Sequence, residues 1–244
     1  RYFYDIISFL FNLLSFRKKI DYLFCFGVGN DAVKGLLANV FFGIPFSFSI
    51  RGPDSYQKAS RFYKKIIELL VSKCSMIHVQ TDSIREDFGN FIPNNKMVVI
   101  PNGINLSARK YLNYSERDRQ IIFIGRMVSD KRGADKGIRY LIDSLDKIPF
   151  NFKCLLVGDG PDKFNLQKLA SGKKVDFKGR VSPKKIGFYL SNSIVLNLPS
   201  INEGFPNVII EAMAEGTPIV STNVGGIKDI VEHGKTGFLV DTKN

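Results

Sequence analysis

The stretch INEGFPNVIIEAMAEGTPIVST, residues 201–222, places two carboxylates, Glu203 and Glu211, on either side of a Gly-Phe-Pro-Asn turn. An apolar run, SIVLNLPS, precedes it and PIVST closes it, so the middle reads as the loop and helix of a β-α-β unit. Pro206 suits the first helical position, where a missing N–H costs nothing. The apolar stripe Val208, Ile209, Ala212 and Met213 then runs at helical spacing to a stop at Gly216. The first turn offers the N–H groups of Asn207, Val208 and Ile209 at the positive end of the helix dipole, which makes an anion site. Glu203 lies in the loop beside it, and Glu211 stands one turn above Asn207, so both face one crevice at the strand's carboxyl end. An anion held between two carboxylates matches a ligand with phosphates in the middle and hydroxyl-rich groups at both ends, the shape of a sugar nucleotide. Taken alone, such a pair is far more often a solvated helix residue and an ordinary loop acid, so the rest of the chain has to decide.

A second constellation lies in QIIFIGRM. Arg126 leaves a strand end directly after Gly125, which lets the backbone turn tightly, and its planar guanidinium matches phosphate oxygens. The following SDKRGADKG carries two lysines, Lys131 and Lys136, either able to add a positive charge at the start of the next helix. Gly158 and Gly160 of VGDGP read as turn residues that permit positive φ. A rival reading starts from Gly27, Gly29 and Ala32, a G-x-G-x-x-A between a strand and a helix, as in NAD enzymes. The acidic residue expected at the end of the following strand is absent; PFSFSI ends in Arg51, which at most suggests NADP.

Composition narrows the classes. The chain of 244 residues with 44% hydrophobic content is long enough for one large or two moderate domains. Its net charge of +12 is shared by both halves, with fifteen basic against eight acidic residues in 1–113 and twenty against fifteen in 114–244. That balance favours phosphates or an anionic membrane surface as partners. Nucleic acid is not expected, since neither a zinc-finger spacing nor an RNP-like aromatic strand is present. Three cysteines without a CxxC pair, Cys25, Cys74 and Cys154, fit a reduced cytoplasmic setting. Two histidines, His78 and His233, and the lack of an Asp-x-Asp element lead to the expectation of no metal and no cofactor. The most apolar segment, IISFLFNLLSF, is broken by polar residues and lacks the flanks of a secretion signal.

The elements that must position these residues alternate from end to end. DYLFCF, PFSFSI, SMIHVQ, KMVVI, QIIFIG, FKCLLVG, KVDFKG, SIVLNL, PIVST and GFLV read as strands with helical patterns between most of them, which predicts α/β architecture with parallel sheets. Residues 54–73 predict a basic amphipathic helix with Ala59, Phe62, Ile66 and Leu69 as the apolar face and Lys58, Arg61, Lys64 and Lys65 off it. The Pro-Asn-Gly turn at 101–103 marks the boundary of two domains, 1–103 and 104–244. The chain opens on Arg1 with its first clear strand near Ile20, so an N-terminal sheet lacking its opening strands is expected, as is a C-terminal helix beyond the last residue.

At these residues the sequence resembles the retaining nucleotide-sugar glycosyltransferases of the GT-B fold, family 4. The resemblance is strong from about Val98 onward, moderate over 45–97 and weak before that. It rests on VVIPNGIN, IIFIGRM with DKGIRYLIDSL, LLVGDGP and INEGFPNVIIEAMAEGTPIVST, four motifs in the family's order. The resemblance implies two Rossmann-like domains, with the acceptor held by the first and a nucleotide-sugar donor by the second, and closure about the Pro-Asn-Gly hinge. It implies that Arg126 and Lys136 stabilise the departing nucleoside diphosphate, that Glu203 contacts the transferred sugar and that Glu211 contacts the ribose. Gly204, Phe205 and Pro206, with the amides of Asn207 and Val208, cradle sugar and phosphate; Gly125 shapes the Arg126 turn, and backbone near Val181 reads the base. The family's usual spacing selects Lys131, whereas the text around Lys136 matches better and is preferred, at the cost of an insertion. Where many members carry a histidine facing acceptor and donor sugar, this chain has Arg51, a permanent cation suited to an acidic acceptor or a phosphate. The expected acceptor is a saccharide or lipid-linked hydroxyl, as in bacterial surface polysaccharide or glycolipid assembly, and the expected location is cytoplasmic or peripheral at the inner membrane face. The alternatives are a non-catalytic nucleotide-sugar-binding module and an NAD(P)-dependent dehydrogenase.

Overall fold

A computed structural model describes residues 2–52, 61–106, 112–129 and 135–242. The chain divides into two compact units, Arg1–Pro101 and Asn102–Asn244. The division falls inside the same Pro-Asn-Gly turn that marks the boundary in the sequence.

The first unit runs α1 (Tyr2–Phe16), β1 (Leu23–Cys25), α2 (Asn30–Phe42), β2 (Phe46–Ile50), α3 (Arg61–Lys73), β3 (Met76–Val79), α4 (Asp82–Gly89) and β4 (Met97–Val99). The strands form a parallel sheet in the order β1-β2-β3-β4. All five residues of β2 are buried, as expected of a strand covered on both faces. Burial of its two serines is tolerable because both hydroxyls are bonded, Ser47 to Tyr22 and Ser49 to His78 Nδ1 at 3.0 Å. The His78 Nε2 atom lies 2.7 Å from the Ile100 carbonyl, which can only accept, so Nε2 donates there. Helix α2 lies close against the sheet because Gly35 has no side chain: a Cβ there would stand 2.7 Å from Cys25 Sγ and from the Phe46 ring. The Thr81 hydroxyl caps α4 by accepting the Ile84 N–H.

One expected face is overturned in part: of its described residues, Ile66 packs against the core as expected. Helix α3 buries Ile67, Leu70 and Val71, whereas Phe62 and Leu69, assigned to its apolar face from the sequence, are exposed. Ala59 and Lys58 of that reading lie outside the described residues. The carboxyl end of α3 is closed by Lys96, whose Nζ donates to the carbonyls of Val71 at 2.7 Å and Cys74 at 3.2 Å.

The second unit runs β5 (Asp118–Ile124), α5 (Ile138–Ser144), β6 (Lys153–Val157), α6 (Lys163–Leu169), β7 (Val175–Gly179), α7 (Pro183–Ser191), β8 (Ser193–Leu198), α8 (Asn207–Ala214), β9 (Ile219–Thr222) and β10 (Phe238–Val240). All its strand pairs are parallel, in the order β10-β9-β8-β5-β6-β7. From β5 the chain moves outward to β6 and β7, then returns to the other side of β5 as β8 and moves outward again. The β5–β8 neighbours are therefore the topological switch point, where the connections diverge and leave a crevice at the carboxyl ends. Ile122, Phe123, Leu156, Leu196 and Ile209 form the centre of a core drawn entirely from this unit. Arg117, buried at the start of β5, fastens the opposite end: its guanidinium donates to the Ser193 and Glu215 carbonyls and to the Thr217 hydroxyl at 3.1 to 3.2 Å. Burial lowers its pKa from the ordinary arginine value.

Candidate functional site

The loop leaving β5 carries Arg126 between two anchored neighbours. The Gly125 N–H donates to Val157 O at 3.0 Å, and the Met127 N–H to Asp159 O at 2.9 Å, while the Met127 side chain is fully buried. This seats the loop on the β6 turn so tightly that neither glycine there has room for a side chain. A Cβ on Gly158, at φ +137°, would stand 1.9 Å from Gly125 O; one on Gly160 would stand 2.1 Å from Met127 O. Gly160 has no positive φ, so close approach and not turn conformation requires it, contrary to the sequence reading. Asp162 completes the clamp by accepting from the Ser129 hydroxyl at 2.8 Å and from the Ser129 N–H. Fixed this way, Arg126 lines a cavity of about 540 Å³ together with Gly125, Asp159, Arg180 and Val181. The cavity opens at the carboxyl ends of β5, β6 and β7, and it holds two arginines against one carboxylate.

The Asp135-Lys136-Gly137 segment ties β5 to β8 across the switch point. Lys136 N–H donates to Val128 O at 3.2 Å, and Ile201 N–H to Asp135 O at 2.9 Å. Gly137 turns the chain into α5 at φ +63°, and a Cβ there would stand 1.8 Å from Pro199 O. The Lys136 ammonium thereby reaches Glu203, 2.6 Å from Oε1, with both side chains largely shielded from solvent. The same oxygen accepts from the Ser200 hydroxyl at 2.9 Å. Ser200 is itself fully buried, and its carbonyl accepts from Thr222 Oγ1. The Glu203 carbonyl meets the turn after β9: a Cβ on Gly225, at φ +49°, would lie 1.8 Å from it. Lys131, the other lysine considered, lies outside the described residues.

Helix α8 begins at Asn207 with Pro206 as its N-cap, one position later than the sequence suggested. The Ile209 N–H donates to Pro206 O at 3.0 Å, so it drops out of the expected set of anion donors and leaves the amides of Asn207 and Val208. The Asn207 side chain is held by Asn102, whose amide donates to Oδ1 at 2.6 Å. Glu211 lies one turn on, half-buried, at a spacing that shares the Asn207 side of the helix. Gly204 and Phe205 occupy the loop between Glu203 and Pro206, also half-buried.

The structure thus assembles the sequence-selected residues in two groups on adjoining strand ends. Gly125, Arg126 and Val181 share the cavity, whereas Glu203, Gly204, Phe205, Pro206, Asn207, Val208 and Glu211 belong to the β8–α8 corner and do not line it. Lys136 is joined to the second group. Arg51 stands in the first unit at the end of β2, its guanidinium 5.5 Å from the centre of the Phe26 ring in a cation–π contact. Sequence reasoning missed Ser200, Gly225, Arg180 and Asp162. Ser200, three residues before Glu203, and the Gly-Gly pair after β9 were its only signals. The three cysteines are buried with raised pKa values, Cys154 to about 12 and Cys25 to about 11, both mainly by burial. Among the described residues, no group of three or more His, Cys, Asp or Glu gathers to hold a metal ion. No described helix is long and apolar enough to cross a membrane.

The family model described as glycosyl transferases group 1 matches residues 118–244, more than half of the chain. The chain belongs to that family. Among its relatives, an uncharacterized glycosyltransferase of Methanocaldococcus jannaschii is 31% identical over 192 residues, which are 70% of this chain and 48% of that protein. The capsular polysaccharide biosynthesis glycosyltransferase CapM of Staphylococcus aureus is 29% identical over 266 residues, 98% of this chain and 68% of that protein. The crystal structure of Anabaena HepE in complex with UDP and glucose superposes with a TM-score of 0.80 at 21% identity, covering 95% of this chain and 67% of that one. The fold is therefore that of the GT-B glycosyltransferases, two α/β Rossmann-like domains with parallel sheets. The chain spans about half the length of the first curated relatives it matches.

Proposed function

We propose that this chain belongs to a retaining, metal-independent family 4 hexosyltransferase that moves a sugar from a nucleotide-sugar donor to a hydroxyl acceptor. The donor occupies the second unit. Arg126 and Lys136 take up the negative charge that gathers on the departing nucleoside diphosphate, acting in place of a divalent ion. Lys136 and Ser200 both hold Glu203 through Oε1, which keeps Oε2 for a hydroxyl of the transferred sugar. Glu211 holds the ribose hydroxyls, Gly204, Phe205 and Pro206 with the Asn207 and Val208 amides cradle sugar and phosphate, and the backbone at Val181 reads the base. Attack proceeds on the face the diphosphate leaves, a donor phosphate oxygen accepting the proton of the acceptor hydroxyl. No protein base is required at Arg51, which instead binds an acidic acceptor or a phosphate.

The observation that carries this reading is the Lys136–Glu203 pair across the β5–β8 switch point, with the Arg126 cavity at the same end of β5. HepE is described in complex with UDP and glucose, and CapM as acting in capsular polysaccharide biosynthesis; by similarity the donor is a sugar nucleotide and the acceptor a saccharide or lipid-linked intermediate of surface polysaccharide or glycolipid assembly. Such a protein works in the cytoplasm, at the inner face of the membrane. The test is turnover of UDP-, GDP- and ADP-sugars by the full-length protein, with and without EDTA. Turnover that survives EDTA, retains anomeric configuration, and is lost in both Arg126→Ala and Glu203→Ala supports the reading. Nucleotide binding without any turnover identifies a binding module instead, and NAD(P)H binding a dehydrogenase.

A further inference from the structure

At the amino ends of β5, β6 and β7 the second unit has a further cavity of about 350 Å³, a size that takes a small ligand. It lies the length of the strands, roughly 16 to 23 Å, from the Arg126 cavity at their carboxyl ends. Arg119 of β5, Lys153 at the start of β6 and Lys174 just before β7 line it, against the single carboxylate of Asp118. The register brings these cations together. Lys153 pairs with Gln120, next to Arg119, and the Cys154 N–H donates to Lys174 O at 2.9 Å, which sets Lys174 alongside Lys153. Like charges side by side on neighbouring strands repel and weaken a sheet. The nearby lysines are neutralised, Lys173 by Asp146 and Lys178 by Asp176. Among the described residues, by contrast, the side chains of Arg119 and Lys153 meet no hydrogen-bond or ion-pair partner, and Asp118 pairs with neither. Lys174 is held at the cavity by Asn151, whose Oδ1 accepts from its Nζ at 2.6 Å, which leaves the Asn151 amide nitrogen as a further donor.

We propose that this cavity binds a small anion with two or more negative charges, of the diphosphate class. Three cations against one carboxylate leave two positive charges to balance. The Arg119 fork takes two oxygens of one phosphate, Lys153 and Lys174 supply point charges to the rest, and the Asn151 amide donates alongside. The chain's formal charge of +12 draws such an anion in. None of these residues belongs to the proposed donor crevice, so the site does not depend on that reading, and its ligand is an effector rather than a substrate.

The test is isothermal titration of inorganic pyrophosphate into the full-length protein and into its Arg126→Ala variant, in which the donor crevice is weakened, with thermal unfolding alongside. One site is expected to keep its affinity in Arg126→Ala, and pyrophosphate to raise the melting temperature of that variant. Arg119→Ala and Lys153→Ala, each made in the same background, weaken the remaining binding about tenfold, the effect of losing one charged hydrogen-bond donor. Lys153→Glu abolishes it. Both side chains are exposed, so these variants keep the fold; without added anion, Lys153→Gln melts no lower than its parent because it relieves repulsion. Pyrophosphate binding that disappears with Arg126→Ala alone belongs to the donor crevice and overturns the proposal. Remaining binding that Lys153→Glu leaves unchanged overturns it too. Binding that Arg126→Ala leaves untouched and Lys153→Glu removes upholds this site while counting against the donor reading.

Discussion

At the scale of single residues, the chemistry rests on charges whose positions are set by their neighbours. Arg126 is exposed and leaves the core untouched, so Arg126→Ala is expected to keep its melting temperature while kcat falls about 10²- to 10³-fold, the usual cost of removing one preorganised charge donor. Ser200→Ala and Gly225→Ala probe the placing of Glu203 from opposite sides. The first removes one bond to Oε1 and leaves Lys136 in place. The second forces a Cβ against the Glu203 carbonyl at positive φ and shifts the backbone itself. Gly225→Ala is therefore expected to lose more activity than Ser200→Ala, measured as kcat/KM with the preferred donor; the reverse order contradicts the assigned roles. A separate consequence concerns Cys154. Its thiol is raised from 9.0 to about 12 in the fold, so the unfolded chain ionises first as pH rises. Its contribution is fully present below pH 9 and is lost progressively from there toward pH 12. Urea unfolding from about pH 8.5 upward, at roughly half-unit steps, is expected to show stability falling with pH, with a shallower slope in Cys154→Ala whatever its midpoint.

At the scale of elements, the site depends on how closely the loops of β5, β6 and β8 seat on one another. Gly137 is the most exposed to test. With φ at +63° and Pro199 O in the way, Gly137→Ala is expected to cost at least about 2 kcal/mol of stability in denaturant titration, and to lower activity beyond that loss because Lys136 precedes it. A neutral Gly137→Ala sets the packing argument aside. These contacts also mark the limit of what the sequence discloses. The strands were legible because IIFI and CLLV are short continuous apolar runs and FSFSI a short β-prone run, all bounded by turn residues, as buried parallel strands require. The Asp135-Lys136-Gly137 segment was legible by motif. Ser200 and Gly225 were not, because their roles arise only when the β8 and β9 loops meet in space. Helix α3 misled for a related reason. Its apolar residues run most of the way round the helix, and periodicity alone does not say that the core takes Ile66, Ile67, Leu70 and Val71 and leaves Phe62 and Leu69 out.

At the scale of the molecule, each unit has its own buried centre, Phe46, Phe48, Ile77 and Val79 in the first and Ile122, Phe123, Leu156 and Leu196 in the second. Residues 102–244 expressed alone are expected to unfold cooperatively, since their core borrows nothing from the first unit. The proposed donor residues all lie in this segment, while Arg51 lies in the other, so nucleotide binding is expected to be kept by residues 102–244 alone. The central claim is that the carboxyl ends of β5 and β8 grip the diphosphate of a nucleotide. Isothermal titration of the full-length protein with UDP, GDP and ADP tests it most directly. At least one of them is expected to bind, and Arg126→Ala to weaken that binding about tenfold to a hundredfold, the cost of charged hydrogen bonds to phosphate. Binding by none of the three, or equal binding by Arg126→Ala, contradicts the claim.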